Sequence, residues 1–245
     1  MFSVPRDAAI GFTGGTRDVA IREETKGTAS VTVAELTEAI SAATPVLDTD
    51  EQRIVMATYR LLAKGARVTA DAIARALDLP VGRVEEALSS WPGVYRDDDG
   101  RVVGFWGLAL AKLEPEYRLL VDGKTSYAWC ALDTLFIPAY LGKAVRVETT
   151  CPVTGAAVSL VVDGKGVREL TPSGAVVSVV IPNGPFGYDV IESFCHRVFF
   201  FASEEAGRSW AAEHEGTTLQ SVQEAFELGQ AVFVRSAPDV FGARK

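Results

Sequence analysis

The hydrophobic pattern of this 245-residue chain changes near residue 107, and this change limits the folds that the chain can adopt. Before that point, apolar residues recur three and four positions apart, which is typical of amphipathic helices. The segment 49–52 (TDEQ) fits a capping box, and further helices are predicted to begin near Thr69 and Pro80. An Asp-Gly turn within residues 94–103 then predicts a β-hairpin. Short helices followed by a hairpin are typical of a winged helix.

The second part of the chain is predicted to be rich in strands. Strand-like runs alternate with turns, and helical segments lie between some of them. The runs interpreted as strands are residues 144–148, 157–162, 175–181 and 194–201. Helices are expected over residues 128–138, 204–213 and 222–228. Strands joined by short turns predict an α+β fold class with mainly antiparallel sheet.

We therefore expect three parts along the chain. Residues 1–30 carry glycine, threonine and charge without periodicity, which indicates a flexible N-terminal extension. Residues 31–107 are expected to form a helical, winged-helix-like region. Residues 108–245 are expected to form a mixed α/β core on which that region packs.

The charge of the chain argues against DNA binding, which is the usual use of a winged helix. The sequence has 24 Lys and Arg against 32 Asp and Glu, a net charge of −8. Residues 66–107 alone hold five arginines against seven acidic residues. A helix that reads DNA needs a basic surface, so we expect no nucleic-acid partner and interpret the region as a packing scaffold.

The cysteines and the hydropathy pattern predict a cytoplasmic protein that does not enter a membrane. No run approaches the ~18 uninterrupted apolar residues that a spanning helix needs. The first residues lack a basic start followed by an apolar core, so no secretory signal is predicted. Three cysteines spread along the chain do not resemble the disulfide framework of a secreted protein. Their thiols are expected to stay reduced.

Several common site motifs are missing from the sequence. The turn at 122–125 (DGKT) resembles the end of a phosphate-binding loop, but Arg118 occupies the position where that loop needs glycine. The three cysteines and two histidines include neither a C-x-x-C pair nor an H-E-x-x-H motif, so zinc is not expected. Cys195 and His196 would point to opposite faces of the predicted strand 194–201 and could not act together.

Cys130 and Asp133 form the candidate site that remains. Their three-residue spacing places thiol and carboxyl side by side on a helix. Cys130 would lie in the first turn, where the helix dipole favours a thiolate. A neighbouring thiolate and apolar surroundings would raise the pKa of Asp133. The same spacing also fits a small buried cysteine beside a local helix hydrogen bond, and Cys195 and Cys151 could likewise be structural.

Two thiols and one carboxylic acid suit the chemistry of a soft metal. Thiolates select soft metals, and mercury(II) accepts two sulfurs in a near-linear geometry. Sulfur ligands increase the electron density on mercury and make a carbon bound to it basic. A positioned acid can then protonate that carbon. Two cysteines and one aspartate are therefore sufficient to break a carbon–mercury bond.

Four blocks of the sequence resemble organomercurial lyase, also called alkylmercury lyase or MerB. They are YAWCALDTL at 127–135, CPVTGAAVSL at 151–160, SFC at 193–195 with FFFAS at 199–203, and EAFELGQ at 224–230. The resemblance covers about residues 45–235, and the order and spacing of the blocks make it specific. Residues 1–30 are not part of it.

The resemblance implies protonolysis of R–Hg–X to a hydrocarbon and Hg(II). By matching motif, Cys130 takes mercury, Asp133 works as the proton shuttle and acid, and Cys195 is the second thiolate. Trp129 lines the pocket, and Cys151 matches a cysteine regarded as structural. The resemblance implies no organic cofactor. Hg(II) is expected to stay on the two thiolates, with Asp133 nearby, until low-molecular-weight thiols or a mercuric reductase remove it.

Two other classes remain open at this point, and one departure from the family is visible. A metal carrier would bind mercury or copper without catalysis, and a winged-helix metal sensor would bind promoter DNA. Some family members have a second cysteine directly after the position of Cys195, where this chain has His196. We expect little effect of His196 on the chemistry, although an auxiliary mercury site there would be lost.

Overall fold

Four helices begin the described part of the chain, which covers residues 31–241 in a computed structural model. They are α1 (Val33–Ala43), α2 (Thr49–Leu62), α3 (Ala70–Leu77) and α4 (Val81–Ser90). The capping box of α2 lies one residue earlier than predicted. Asp48 accepts a hydrogen bond from the Glu51 N–H, and the Glu51 carboxylate accepts one from the Asp48 N–H. Aspartate caps a helix as well as threonine does, which explains the shift.

Within residues 31–241 the strands form two antiparallel sheets, which confirms the predicted α+β class. The larger sheet has the order β1-β2-β3-β5-β4-β6-β7-β8. Its strands are β1 (Val94–Arg96), β2 (Val102–Phe105), β3 (Leu108–Ala109), β4 (Tyr117–Val121), β5 (Lys124–Ala128), β6 (Val145–Thr150), β7 (Ala157–Asp163) and β8 (Gly166–Thr171). In the smaller sheet, β9 (Val176–Val180) lies between β10 (Phe200–Phe201) and β11 (Thr217–Ser221). The predicted hairpin at 94–103 is the β1–β2 pair.

The predicted strand at 194–201 is wrong for most of its length. The chain instead forms a 3-10 turn, Cys195–Arg197, and only Phe200–Phe201 pairs with a sheet. A short apolar run can be a buried strand or a buried helical segment, and periodicity alone does not separate the two. The helices of this part are α5 (Ala131–Leu141), α6 (Val190–Ser193), α7 (Glu204–Ala211), α8 (Val222–Ser236) and α9 (Pro238–Phe241).

Helix α5 carries the first two candidate residues into the core. Its sequence, ALDTLFIPAYL, is apolar on every face, which is typical of a buried helix. It packs against α2, α8 and β7. The chain passes from β5 into α5 through Trp129 and Cys130, so the start of the helix lies directly beyond the end of a central strand.

One sheet and one hydrophobic cluster continue across residue 107. Strands β1 and β2 pair through β3 with β5, and buried residues of α1–α4 join the same cluster as those of the later strands. The division into a region before 107 and a core after it stays a prediction. The predicted extension, residues 1–30, lies outside the described residues. Across residues 31–241, the longest helices are too short or too polar to cross a bilayer.

Candidate active site

Cys130, Asp133 and Cys195 converge in the interior of the described chain. The two sulfurs and a carboxylate oxygen all lie within 4.8 Å of one another. Relative exposure is 0% for Cys130, 3% for Cys195 and 8% for Asp133, so all three groups are removed from bulk water. Since Cys195 comes from a different segment, the fold rather than the local sequence assembles this cluster.

The start of helix α5 holds Asp133 beside Cys130. Cys130 is the N-cap residue, and its backbone N–H donates to Asp133 Oδ2 at 2.9 Å. In return, the Cys130 sulfur occupies the position of a capping oxygen and faces the Asp133 N–H. This is a capping box in which cysteine stands where serine or threonine is usual. The three-residue spacing therefore sets the carboxyl next to the thiol, as the sequence predicted.

Cys195 is held against the same helix by its neighbours in the 3-10 turn. The Ala131 N–H, at the first position of α5, donates to the Val198 carbonyl at 3.1 Å. Ser178 on β9 also stabilises the turn, because its hydroxyl donates a hydrogen bond to the Arg197 carbonyl at 2.9 Å. These bonds join the segment of the second thiol to the helix of the first.

His196 lies apart from this cluster. It is exposed, whereas Cys195 beside it is buried. The two side chains therefore face different surroundings, although the reason is the 3-10 turn and not the expected strand.

Two of the three groups line an apolar pocket. Asp133 and Cys195 lie in its wall, whereas Cys130 lies behind them. Most of the wall is aromatic or aliphatic, and its rings include Tyr59, Trp106, Trp129, Phe136, Phe186 and Phe233. Such a pocket excludes water and accepts an apolar group next to the thiol and the acid.

Burial sets the protonation of the site. It raises the pKa of Asp133 to about 7, against the opposing effect of hydrogen bonds from Cys130 and Trp129. It also raises the pKa of Cys130 well above the usual value, and a hydrogen bond to Cys195 and the charge of Asp133 add to that shift. At Cys195 the hydrogen bond from Cys130 lowers the pKa, but burial and the Asp133 charge outweigh it and the net shift is upward.

The expectation of a resting thiolate at Cys130 is therefore wrong. Desolvation in the core disfavours the charged sulfur more than the start of α5 favours it. The expected rise in the pKa of Asp133 is present, and burial is its largest cause. The site consists of two neutral thiols beside a carboxyl group that titrates near neutral pH.

Cys151 lies outside the three-residue cluster. It follows β6 in a tight turn, where its N–H donates to the Ala156 carbonyl at 2.8 Å and its carbonyl accepts from the Gly155 N–H at 2.9 Å. Its side chain is buried. Burial opposes a thiolate at Cys151, but hydrogen bonds from Thr154 and the Ala202 backbone lower its pKa overall.

Replacement of Cys151 with alanine is expected to affect stability and leave turnover unchanged. The variant loses one buried sulfur, which costs about 1 kcal/mol of unfolding free energy. Thermal unfolding and hydrocarbon release from an organomercurial would be measured together. Cys130→Ala is the matched control, because it removes the same atom from a buried position inside the cluster. A well-folded but inactive Cys151→Ala protein would contradict the structural role.

Sequence reasoning missed that the winged-helix-like region contributes to this pocket. Tyr59 of α2 and Trp106 lie in the wall, and the ring of Tyr95 on β1 meets Trp129 edge-on at 5.2 Å. The Gly107 carbonyl accepts the Trp129 N–H at 2.9 Å. The only sequence signal for this contact was the aromatic pair 105–106 followed by a glycine. This pattern indicates a tight turn, but it does not show which residues the turn contacts in the folded chain.

Comparisons with known proteins agree with this geometry. The family model described as "Alkylmercury lyase" matches residues 110–234, and the model "Helix-turn-helix domain of alkylmercury lyase" matches residues 48–106. The second match confirms the winged-helix-like character of the N-terminal region.

Curated relatives and a solved structure resemble the chain over most of its length. An alkylmercury lyase of Bacillus cereus is 40% identical over 176 residues, which cover 72% of this chain and 78% of the relative. Those of Streptomyces lividans and Pseudomonas putida are 39% and 37% identical over 70% and 71% of this chain, and over 77% and 79% of the relatives. The fold resembles the crystal structure of the mercury-bound form of MerB2, with a TM-score of 0.64, 21% identity, and coverage of 83% of this chain and 98% of that chain. The chain therefore belongs to the alkylmercury lyase family.

Proposed function

We propose that this alkylmercury lyase converts R–Hg–X to R–H and Hg(II) by protonolysis, with Cys130 and Cys195 as mercury ligands and Asp133 as the proton donor. The observation that supports it best is the convergence of two thiols and one buried carboxyl within 4.8 Å. Mercury is a soft metal and therefore binds well to two sulfur ligands. A proton donor beside these sulfurs can protonate the carbon that is bound to mercury.

The first step binds the organomercurial to one thiol. The Asp133 carboxylate accepts the thiol proton, and the sulfur bonds to mercury while X leaves as an anion. Because the thiols are neutral at rest, this base is needed to generate a thiolate in the pocket. Cys195 lies in the pocket wall and Cys130 behind it, so mercury that reaches one sulfur is also within reach of the other.

The second step makes the carbon basic and protonates it. The other thiol releases its proton to solvent and bonds to mercury, which then carries two sulfurs and one carbon. Protonated Asp133 transfers its proton to that carbon, the carbon–mercury bond breaks, and R–H leaves. Hg(II) remains on two thiolates and Asp133 is a carboxylate again. A carboxyl with a pKa of about 7 can both accept and donate this proton near neutral pH.

Release of Hg(II) completes the cycle. We expect low-molecular-weight thiols to displace the metal by exchange, or a mercuric reductase to accept it. The proposal needs no organic cofactor. It places the enzyme in the cytoplasm, where reducing conditions keep its three free cysteines as thiols.

The decisive experiment incubates the protein with an organomercurial and excess thiol and follows the hydrocarbon by gas chromatography. We expect many molecules of hydrocarbon per enzyme. Stoichiometric binding of Hg(II) or Cu(I) without hydrocarbon would identify a metal carrier. DNA binding that changes with mercury, again without hydrocarbon, would identify a sensor. Either of the last two results would reject the proposed reaction.

A further inference from the structure

The turn between β2 and β3 brings a backbone segment of the winged-helix-like region directly against the candidate acid. A Cβ added to Gly107 would lie 2.5 Å from Asp133 Cγ and 2.9 Å from Asp133 Cβ, and closer still to Oδ1. Real Cβ atoms essentially never come within 3.0 Å of another heavy atom in this way. The space beside the carboxyl is therefore filled by a residue without a side chain.

Hydrogen bonds hold this turn in place. The Gly107 carbonyl accepts the N–H of Trp129, the residue directly before Cys130. The buried Tyr59 hydroxyl donates to the Trp106 carbonyl at 2.5 Å, which fixes the turn to α2. Gly107 also has a φ of +93°, in the region that favours glycine. The turn is thus attached both to the helical region and to the segment that carries the first thiol.

Together these contacts confine the Asp133 carboxyl on two sides. The Cys130 N–H holds Oδ2, and the Gly107 backbone occupies the space next to Oδ1. A side chain at residue 107 would push the carboxyl out of this position. Transfer of a proton to carbon depends steeply on such placement, since a displacement of about 1 Å can cost ~10²-fold in rate.

We propose that Gly107 is a positioning residue for proton transfer, and that its bare backbone holds the Asp133 carboxyl against Cys130 and away from water. The inference rests on the role of Asp133 proposed above. It adds that the winged-helix-like region supplies part of the catalytic geometry, which gives that region a task other than binding DNA.

The test substitutes Gly107→Ala and measures hydrocarbon release in a single turnover across a range of organomercurial concentrations. We expect the rate to fall by ~10-fold or more, because the carboxyl is displaced. Stoichiometric binding of Hg(II) to the two thiols should be retained. The fall should appear in the limiting single-turnover rate and not in the organomercurial concentration that gives half of that rate, because the two thiols that bind mercury keep their places. A general loss of stability would weaken the binding of mercury as well and would not separate the two quantities.

Gly100→Ala is the matched control. Gly100 lies in the β1–β2 turn with a φ of +76°, and an added Cβ there has no atom within 4 Å. Alanine at residue 100 therefore introduces similar backbone strain without touching Asp133, and the limiting rate and half-saturating concentration of this variant should match those of the unsubstituted protein. If Gly107→Ala behaves like Gly100→Ala, the positioning role is wrong.

A second variant covers the case in which Gly107→Ala does not fold. Tyr59→Phe keeps the buried ring but removes the hydroxyl that holds the Trp106 carbonyl, so the turn should loosen. We expect a several-fold lower limiting rate with unchanged binding of mercury, and an unchanged limiting rate would overturn the inference. Asp133→Asn separates this outcome from failure of the proposed function. If Asp133→Asn stays active, the acid itself is misassigned, whereas an inactive Asp133→Asn with unaffected positioning variants rejects only the role of Gly107.

Discussion

Cys195→Ala and Cys130→Ser should each abolish hydrocarbon release from an organomercurial. With one sulfur, mercury remains a two-coordinate R–Hg–S species, and its carbon is less basic than with two sulfur ligands. Serine does not replace the second sulfur, because a hydroxyl is a hard ligand that stays protonated near neutral pH. We expect a loss of ~10³-fold or more, the scale seen when an enzyme loses its nucleophile. Gas chromatography of the hydrocarbon under excess thiol measures it.

Two further measurements make this result specific. Each variant should bind mercury more weakly than the unsubstituted protein, because one ligand of the pair is missing. Cys151→Ala should keep both activity and tight binding, since its sulfur lies outside the cluster. Turnover near that of the unsubstituted protein in either cysteine variant would remove that cysteine from the mechanism.

The local part of this site could be predicted from the sequence. The spacing of Cys130 and Asp133 fixes their relation as soon as a helix begins there, and the apolar sequence of α5 indicates burial. The main helices and the hairpin turns followed from caps and Asp-Gly pairs in the same way. These features depend on residues that are only a few positions apart in the sequence, and a sequence pattern describes relations over that distance.

The non-local part could not be derived in this way. Periodicity suggested a strand through Cys195, but the chain forms a 3-10 turn that Ser178 and Ala131 hold from two other elements. The family resemblance, and not the pattern, predicted that Cys195 belongs with Cys130. The hydrophobic pattern did not predict the contact of Gly107 with Asp133, because this contact joins a turn of one region to a helix of another.

The pKa of Cys130 shows how burial can reverse a local argument. A cysteine at a helix start is expected to favour the thiolate, and that expectation considers only the helix. The surrounding core removes water from the sulfur and raises its pKa instead. The same desolvation raises the pKa of Asp133. Burial therefore has two effects: the Cys130 thiol needs a base to lose its proton, and the Asp133 carboxylate is basic enough to accept it.

Asp133→Asn should separate binding from bond cleavage. Asparagine has nearly the same shape and can still accept the Cys130 N–H, but it carries no acidic proton at neutral pH. The variant should therefore bind the organomercurial and release hydrocarbon ~10²-fold or more slowly, the usual scale for loss of a general acid. Single-turnover rates with the substrate bound in advance would measure the difference.

The same substitution should stabilise the protein at neutral pH. The pKa of Asp133 is about 7 in the folded chain and 3.8 in the reference state, so between these values the unfolded chain has lost a proton that the folded chain keeps. The unfolding free energy of the unsubstituted protein therefore falls as pH rises from about 4 to about 7, by at most about 4 kcal/mol at 1.36 kcal/mol per pH unit. The substituted asparagine does not titrate, so the variant should gain stability relative to the unsubstituted protein across this window.

Denaturant unfolding at pH 5 and pH 8 tests the stability prediction directly. The advantage of Asp133→Asn should be larger at pH 8, where the buried carboxylate of the unsubstituted protein is charged. Glu192→Gln is a suitable control, because Glu192 is an exposed acid three residues before Cys195 and its replacement should shift stability little at either pH. An Asp133→Asn protein that is inactive but gains no more stability at pH 8 than at pH 5 would mean that Asp133 is not a desolvated acid. The carboxyl would then have to work as an ordinary ionised aspartate, which at neutral pH has almost no proton to give to carbon.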